Sequence, residues 1–268
     1  MPKLNVAVAG SAGRMGRALI KAVLADDGLK LAAALEQTGN PNLGRDAGEF
    51  DGLPCGVAIS DDIEGGIARS DVLIDFTRPE GALNHVAACL RHGIKIVVGT
   101  TGFSDAQKKT IADAARNIAL VFAPNMSVGT NLVFKLADIA ARVLNQDYDV
   151  EIIEAHHRHK TDAPSGTALR LGEIIANALG RNLKECAVYS REGTTGERAA
   201  TAIGFSSIRG GDIVGEHTVM FAGTGERVEL TVRSASRATY AQGALRAAHY
   251  LAGKKSGLFD MQDVLGLR

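Results

Sequence analysis

Tryptophan is absent from this sequence, cysteine occurs three times, and acidic and basic residues cancel at thirty each. Each shortage removes a class of explanation. Cys55, Cys89 and Cys186 are odd in number, far apart and never paired as CxxC, which argues against a disulfide framework or a thiolate zinc site. Three small buried thiols are the expectation. With no net charge, no global field draws nucleic acid or a membrane surface, so attraction for an acidic ligand must be local. No run approaches the roughly 20 apolar residues of a membrane span. The opening MPKLNVAVAGSAG has too short an apolar stretch for a signal peptide. A cytoplasmic protein with small-molecule ligands, and neither a nucleic-acid nor a membrane partner, fits these absences. What is present, 46% hydrophobic and 22% charged residues over 268 positions, is ordinary for a globular enzyme of one or two domains.

The first half alternates β-branched runs with helical periodicity. Strands are expected at Leu4–Ala9, Leu29–Leu35, Val72–Phe76, Ile94–Val98 and Ala119–Ala123, with helices at Met15–Ala25, from Pro79, and near Ser104–Arg116. That rhythm implies a parallel sheet covered on both faces. The second half differs. A long helix is expected at Ser127–Leu144, a strand at Asp149–Ala155, a helix at Thr167–Leu179 and a closing helix at Thr239–Leu251. Residues Ala202–Arg233 look strand-like, with breaks at Gly210–Gly211 and Gly223–Gly225, so a mixed or antiparallel sheet is expected. The boundary is placed near Met126–Ser127.

Gly10-Ser11-Ala12-Gly13-Arg14-Met15-Gly16 follows a strand and opens a helix. Glycines there permit a tight turn and let backbone amides approach a pyrophosphate at the positive helix end. The GxxGxxG spacing alone is weak, and a glycine-rich turn in an unrelated α/β protein is the bland alternative. Glu36, twenty positions after Gly16 and ending the second strand, strengthens the dinucleotide interpretation, because a carboxylate there binds ribose hydroxyls. Position 37 is Gln37, so no charge offsets Glu36 toward a 2′-phosphate unless Arg14 or Arg17 swings over. NADH preference or dual NADH and NADPH use is expected.

Gly99-Thr100-Thr101-Gly102 follows the fourth strand, where open parallel sheets bind ligands. Its hydroxyls could hold a nicotinamide ribose or amide, or the loop could simply lead to a helix capped by Ser104. Asp75–Glu80 ends the third strand at the same edge and could wall that site.

Glu154-Ala155-His156-His157-Arg158-His159-Lys160 gathers three of the seven histidines with an arginine and a lysine at a strand end. Five potential cations side by side repel, and a dianionic ligand would compensate them. Asp162-Ala163-Pro164-Ser165-Gly166-Thr167 then enters a helix, with Ser165 placed to cap it and the first amides free for a carboxylate. A histidine beside such a site can shuttle a proton. A solvated basic loop competes with this view. A metal site competes less well, because HHxH on a strand end has no usual ligand spacing and no distant acidic or cysteine cluster completes it.

GSAGRMG, DFTRPEG, GTTGF, APNMSVG, EAHHRHK with DAPSGTAL, YSREG, GDIVGEH and SGLFDMQDVL together resemble the bacterial 4-hydroxy-tetrahydrodipicolinate reductase family, formerly dihydrodipicolinate reductase, over practically the whole chain. The resemblance implies a Rossmann-type dinucleotide-binding domain at 1–126, completed by 237–268. It also implies an α+β substrate and oligomerisation domain at 127–236 with a mixed sheet, and a homotetramer. At matching positions Gly10, Ser11, Ala12, Gly13, Arg14 and Met15 would bind the pyrophosphate and Glu36 the adenosine ribose. Gly99, Thr100 and Thr101 with Ala123, Pro124, Asn125 and Met126 would line the nicotinamide. His156 matches the proton donor and Lys160 a second catalytic residue that would stabilise developing charge. His157, Lys160, Ser165, Gly166 and Thr167 would hold the carboxylates of a small dicarboxylate. Many members carry arginine where this chain has Gln37. Because cofactor and substrate must meet, closure is expected, with hinges near Ser127–Thr130 and Ser234–Arg237. Arg237 could also approach the substrate. Another Rossmann reductase for an amine or a single carboxylate would not need EAHHRHK, and a dinucleotide sensor would have no use for a proton donor.

Overall fold

In the computed structural model, which describes residues 2–268, strand β1 (Leu4–Ala9) shows how the first half is built. Val6 and Val8 enter one apolar cluster while Ala7 and Ala9 enter another, because successive side chains of a strand face opposite ways. A strand buried on both faces requires helices on both. The chain supplies them in alternation: α1 (Arg14–Leu24), β2 (Leu29–Leu35), β3 (Ile59–Ser60), α2 (Ile63–Ala68), β4 (Val72–Asp75), α3 (Pro79–His92), β5 (Lys95–Val98), α4 (Asp105–Ala114) and β6 (Ala119–Phe122). Pro79 occupies the first turn of α3, and Ser104 with Gln107 forms a capping box at α4.

The second half begins with α5 (Val128–Leu144), β7 (Asp149–His156), α6 (Gly166–Ala178), α7 (Leu183–Cys186) and β8 (Ala187–Val188). Next come β9 (Ile203–Arg209), β10 (Gly215–Ala222) and β11 (Arg227–Ser234), then α8 (Ala238–Ala252), β12 (Gly257–Phe259) and α9 (Met261–Val264). Contacts divide the chain into two compact units, Met1–Val128 with Arg237–Arg268, and Gly129–Ser236.

The first unit holds a seven-stranded sheet in the order β12-β6-β5-β4-β1-β2-β3, with every neighbouring pair parallel. Strand order reverses between β1 and β4, so the carboxyl ends of those strands form the crevice where such sheets bind ligands. The returning α8 packs beside α1, and β12 adds the edge strand next to β6. The three-residue β12 and two-residue β3 are too short to show periodicity, which is why the sequence did not announce them.

The second unit is a mixed five-stranded sheet, β11-β10-β7-β9-β8. Its first two pairings are antiparallel and the last two parallel. One apolar cluster joins Phe134 and Ala137 of α5 and Leu171 and Ile175 of α6 to Ile152, Phe205 and Phe221 of the sheet. One expectation fails. Only Cys89 is a buried thiol, while Cys55 and Cys186 are half-buried at the margins of the apolar clusters they pack against. Among the described residues no helix is long and apolar enough to cross a membrane.

Candidate active site

At the carboxyl end of β1 the chain turns through Gly10, whose φ of +68° suits glycine. It enters α1 with Gly13 at the N-cap and no side-chain cap bond. A Cβ at Gly16 would stand 2.1 Å from the Gly10 carbonyl oxygen, so only glycine lets the helix start so close to the strand end. The amides of Arg14, Met15 and Gly16 lie in a first turn that has no helical carbonyl to bond. Glu36 follows β2 and ties the loop down, accepting from the Ala12 amide at 3.1 Å and the Gln37 amide at 3.0 Å. A cleft of about 790 Å³ opens here, lined by Gly10, Ala12, Gly13, Glu36 and Gln37 with Phe76, Thr77, Arg78 and His85.

Several of the residues expected near the cofactor already have partners within the protein. Arg17 does not swing free, because its Nε donates to the Ala12 carbonyl and its guanidinium stacks 3.9 Å from the Phe50 ring centroid. Arg14 remains exposed. Thr100 donates its hydroxyl to buried Asp75 at 2.8 Å, so that hydrogen is committed within the fold. Asp75 is no mere wall. It lies 2.5 Å from His85 Nδ1 and accepts from Thr77, and these bonds hold it ionised below the usual carboxylate range although burial pushes the other way. Ser11, Arg14, Met15, Gly99–Thr101 and Ala123–Met126 do not line the cleft. Ser11, Ala123 and Met126 are buried, Asn125 accepts from the Ser127 amide, and Pro124 and Thr101 are exposed.

In the second unit β7 ends on His156. Glu154 and His156 are two apart on a strand and share a face. Glu154 Oε2 lies 2.6 Å from His156 Nδ1. Arg209, opposite His156 on β9, grips both Glu154 oxygens at 2.8 and 2.7 Å. The Ser165 amide donates to Glu154 Oε1 at 3.2 Å, while the Ser165 hydroxyl caps α6 at Ala168 and meets His217 Nε2 at 2.9 Å. His217 on β10 pairs with Glu154 on β7 and stacks edge-on against His156. Glu154, Arg209 and His217 are thus neighbours of His156 to which the sequence assigned no role. Glu154 had a signal, the two-residue strand step. Arg209 had none, since only sheet register brings it there.

The expected crowd of cations is partly settled within the protein. Glu154 balances His156 and Arg209, and Lys160 pairs with Asp162 at 2.8 Å. His159 and Arg158 are exposed. The His157 Nδ1 is buried without a hydrogen-bond partner, a polar atom left for a ligand. At Gly166, first residue of α6, nothing stands where a Cβ would project. His157 and Lys160 thus lie in the turn after β7, where the Lys160 amide donates to the His157 carbonyl, and Ser165, Gly166 and Thr167 form the start of α6. Among the described residues, no group of three or more metal-ligating side chains is assembled.

Burial lowers the His156 pKa, Glu154 opposes that, and Lys160 and Arg209 add to it. Burial chiefly, helped by His156, drives His217 down to about 4. Burial pushes Glu154 up, yet its bonds to Arg209, His156 and Ser207 win and hold it at about 2. In both groups the unfolded chain takes protons first, so acid destabilises the fold. His217 withdraws stability as pH falls from about 6.5 toward 4, and Glu154 from about 4.5 toward 2. The urea midpoint should fall continuously below about pH 6.5. Glu154→Gln should make the fall below about pH 4.5 shallower without abolishing it, since Asp75 is also held below the usual carboxylate range, and a flat wild-type profile would refute the linkage.

The chain matches two family models, "Dihydrodipicolinate reductase, N-terminus" over residues 4–126 and "Dihydrodipicolinate reductase, C-terminus" over residues 129–265. It is 63% identical to the 4-hydroxy-tetrahydrodipicolinate reductase of Nitrosospira multiformis and 62% identical to that of Nitrosomonas europaea, covering 100% of both chains each time. A solved structure, the dipicolinate-bound dihydrodipicolinate reductase from Paenisporosarcina sp. TG-14, superposes with a TM-score of 0.78. Its identity is 27%, over 97% of this chain and 98% of that one. Glycine loop, histidine turn and full-length likeness agree, and the chain belongs to the dihydrodipicolinate reductase family.

Proposed function

We propose that this protein reduces 4-hydroxy-tetrahydrodipicolinate to tetrahydrodipicolinate, in diaminopimelate and lysine biosynthesis, at the expense of a nicotinamide dinucleotide. The observation that carries it is the buried His156 held by Glu154 beside an open helix start at Gly166. The Paenisporosarcina relative is described with dipicolinate, a small dicarboxylate of this chemistry. The residues around the Gly10 loop fit a dinucleotide: a positive helix end, a glycine no Cβ can replace, and an acidic side chain after β2. The first unit would be the dinucleotide-binding domain and the second the substrate and oligomerisation domain.

The net reaction takes up one hydride and one proton and releases one water. A reduced nicotinamide supplies the hydride when bound. The Gly10–Met15 amides would hold the pyrophosphate, and Glu36 would present its remaining lone pairs to the ribose. Gly166 and Thr167 amides with His157 and Lys160 would receive the two carboxylates, the Lys160–Asp162 pair opening to admit one of them. Nδ1 of His156 faces a carboxylate that only accepts, so the neutral ring carries its proton on Nδ1. Nε2 is then the atom that takes up and delivers the proton. His156 has a depressed pKa alone, and arrival of a dianion raises it, arming the acid only when substrate is present.

The cleft near Gln37 supports NADH or dual use. Besides Gln37 it is lined by Asn40 and Asn42, with Arg78 as its cation. Oxidation of NADH and NADPH should be followed in parallel, on substrate freshly made from pyruvate and aspartate semialdehyde by the preceding synthase. Turnover dependent on that substrate is expected, with kcat/KM for NADH at least matching NADPH. Gln37→Arg should shift the ratio toward NADPH, and a large wild-type NADPH advantage would refute this. We also propose a cytoplasmic homotetramer without nucleic-acid or membrane partners. The edge strand β11 of the mixed sheet, with one row of backbone groups unpaired, supports association.

A further inference from the structure

We infer that Glu154 is a positioning residue that fixes the tautomer and basicity of His156, and that Arg209 sets how strongly it does so. This rests on His156 being the proton donor. The carboxylate of Glu154 is 1% exposed and accepts from Arg209 twice, from His156 Nδ1, from the Ser165 amide and from Ser207. A charge so enclosed cannot turn toward solvent, so the imidazole it binds has one orientation and one site for its resting proton.

Every charged or titratable group facing His156 has a definite sign. Glu154, on the same strand, favours the imidazolium. Arg209 on β9, Lys160 on the following turn and His217 on β10 face the same cluster, and Arg209 and Lys160 oppose that charge. Arg209 works twice, repelling the imidazolium and neutralising the carboxylate that attracts it. The Ser165 amide bond also ties Glu154 to the start of α6, so the acid and the carboxylate-receiving amides are held on one frame. His217 completes the frame, because its Nε2 shares a hydrogen bond with the Ser165 hydroxyl, which also accepts from the Ala168 amide.

The test is a pair of variants whose effects have opposite signs, read by histidine ring NMR on labelled protein and by kcat against pH. Loss of the His156 resonance in a His156→Gln sample assigns the signal. Wild-type His156 should be the Nδ1–H tautomer when neutral. Glu154→Gln should lower its titration midpoint by about one pH unit or more, and Arg209→Gln should raise it. The alkaline limb of kcat should move in the same two directions. If Glu154→Gln fails to fold, Arg209→Gln alone still decides, since its side chain is 20% exposed and its predicted shift is upward. An Nε2–H tautomer, midpoints that do not move, or two shifts of the same sign would overturn the inference, even if turnover fell. If the wild-type protein does not reduce the substrate, the proposed reaction fails while the ring titration still reports on Glu154 and Arg209.

Discussion

His156→Gln is expected to lower kcat by roughly 10²–10⁴, the usual cost of removing a general acid, with dinucleotide affinity unchanged. The two readouts separate because His156 belongs to the Gly129–Ser236 unit and the glycine loop to the other. Glutamine keeps a polar group within reach of Glu154 but cannot deliver a proton. His217 cannot substitute, since its pKa of about 4 leaves it neutral and its Nε2 is bonded to Ser165. Initial rates at saturating substrate and fluorescence titration of the reduced dinucleotide check both halves. Near wild-type turnover would remove His156 from its role.

The second large effect belongs to Gly16. Alanine there would put its Cβ 2.1 Å from the Gly10 carbonyl oxygen and 2.7 Å from the Ser11 Cα, both backbone atoms that no side-chain rotation can relieve. Overpacking of this kind costs about 1–3 kcal/mol, read as a lower urea midpoint. The displaced loop also carries the amides meant for the pyrophosphate, so dinucleotide affinity should fall with it, whereas the Glu154–His156 pair should titrate as before. Unchanged stability and affinity would mean that the loop does not need this close approach.

Much of the fold was legible because buried parallel strands and amphipathic helices write their periodicity into the chain. The expected strands Leu4–Ala9, Leu29–Leu35 and Asp149–Ala155 coincide with observed strands to within a residue, and Ser104 and Ser165 cap the helices their spacing suggested. The segment between β2 and β4 was opaque, as its pieces are too short for a period to show. Glycines were legible as residues, but which of them was indispensable depended on what lay opposite.

Sequence alone determined the ingredients: a glycine loop between strand and helix, an acid after the second strand, and a histidine-rich strand end followed by a serine-capped helix. These are local features, dictated by bonds and periods within a few residues. Tertiary structure decided their state. Arg209 reaches Glu154 across 55 residues and His217 reaches Ser165 across 52, distances closed only by the register of β9 and β10 against β7. Thr100 and Arg17, which looked free for a cofactor, are claimed by Asp75 and by the Ala12 carbonyl and Phe50. Burial fixes which groups hold charge, and burial is a property of the packed layers rather than of any short stretch of chain.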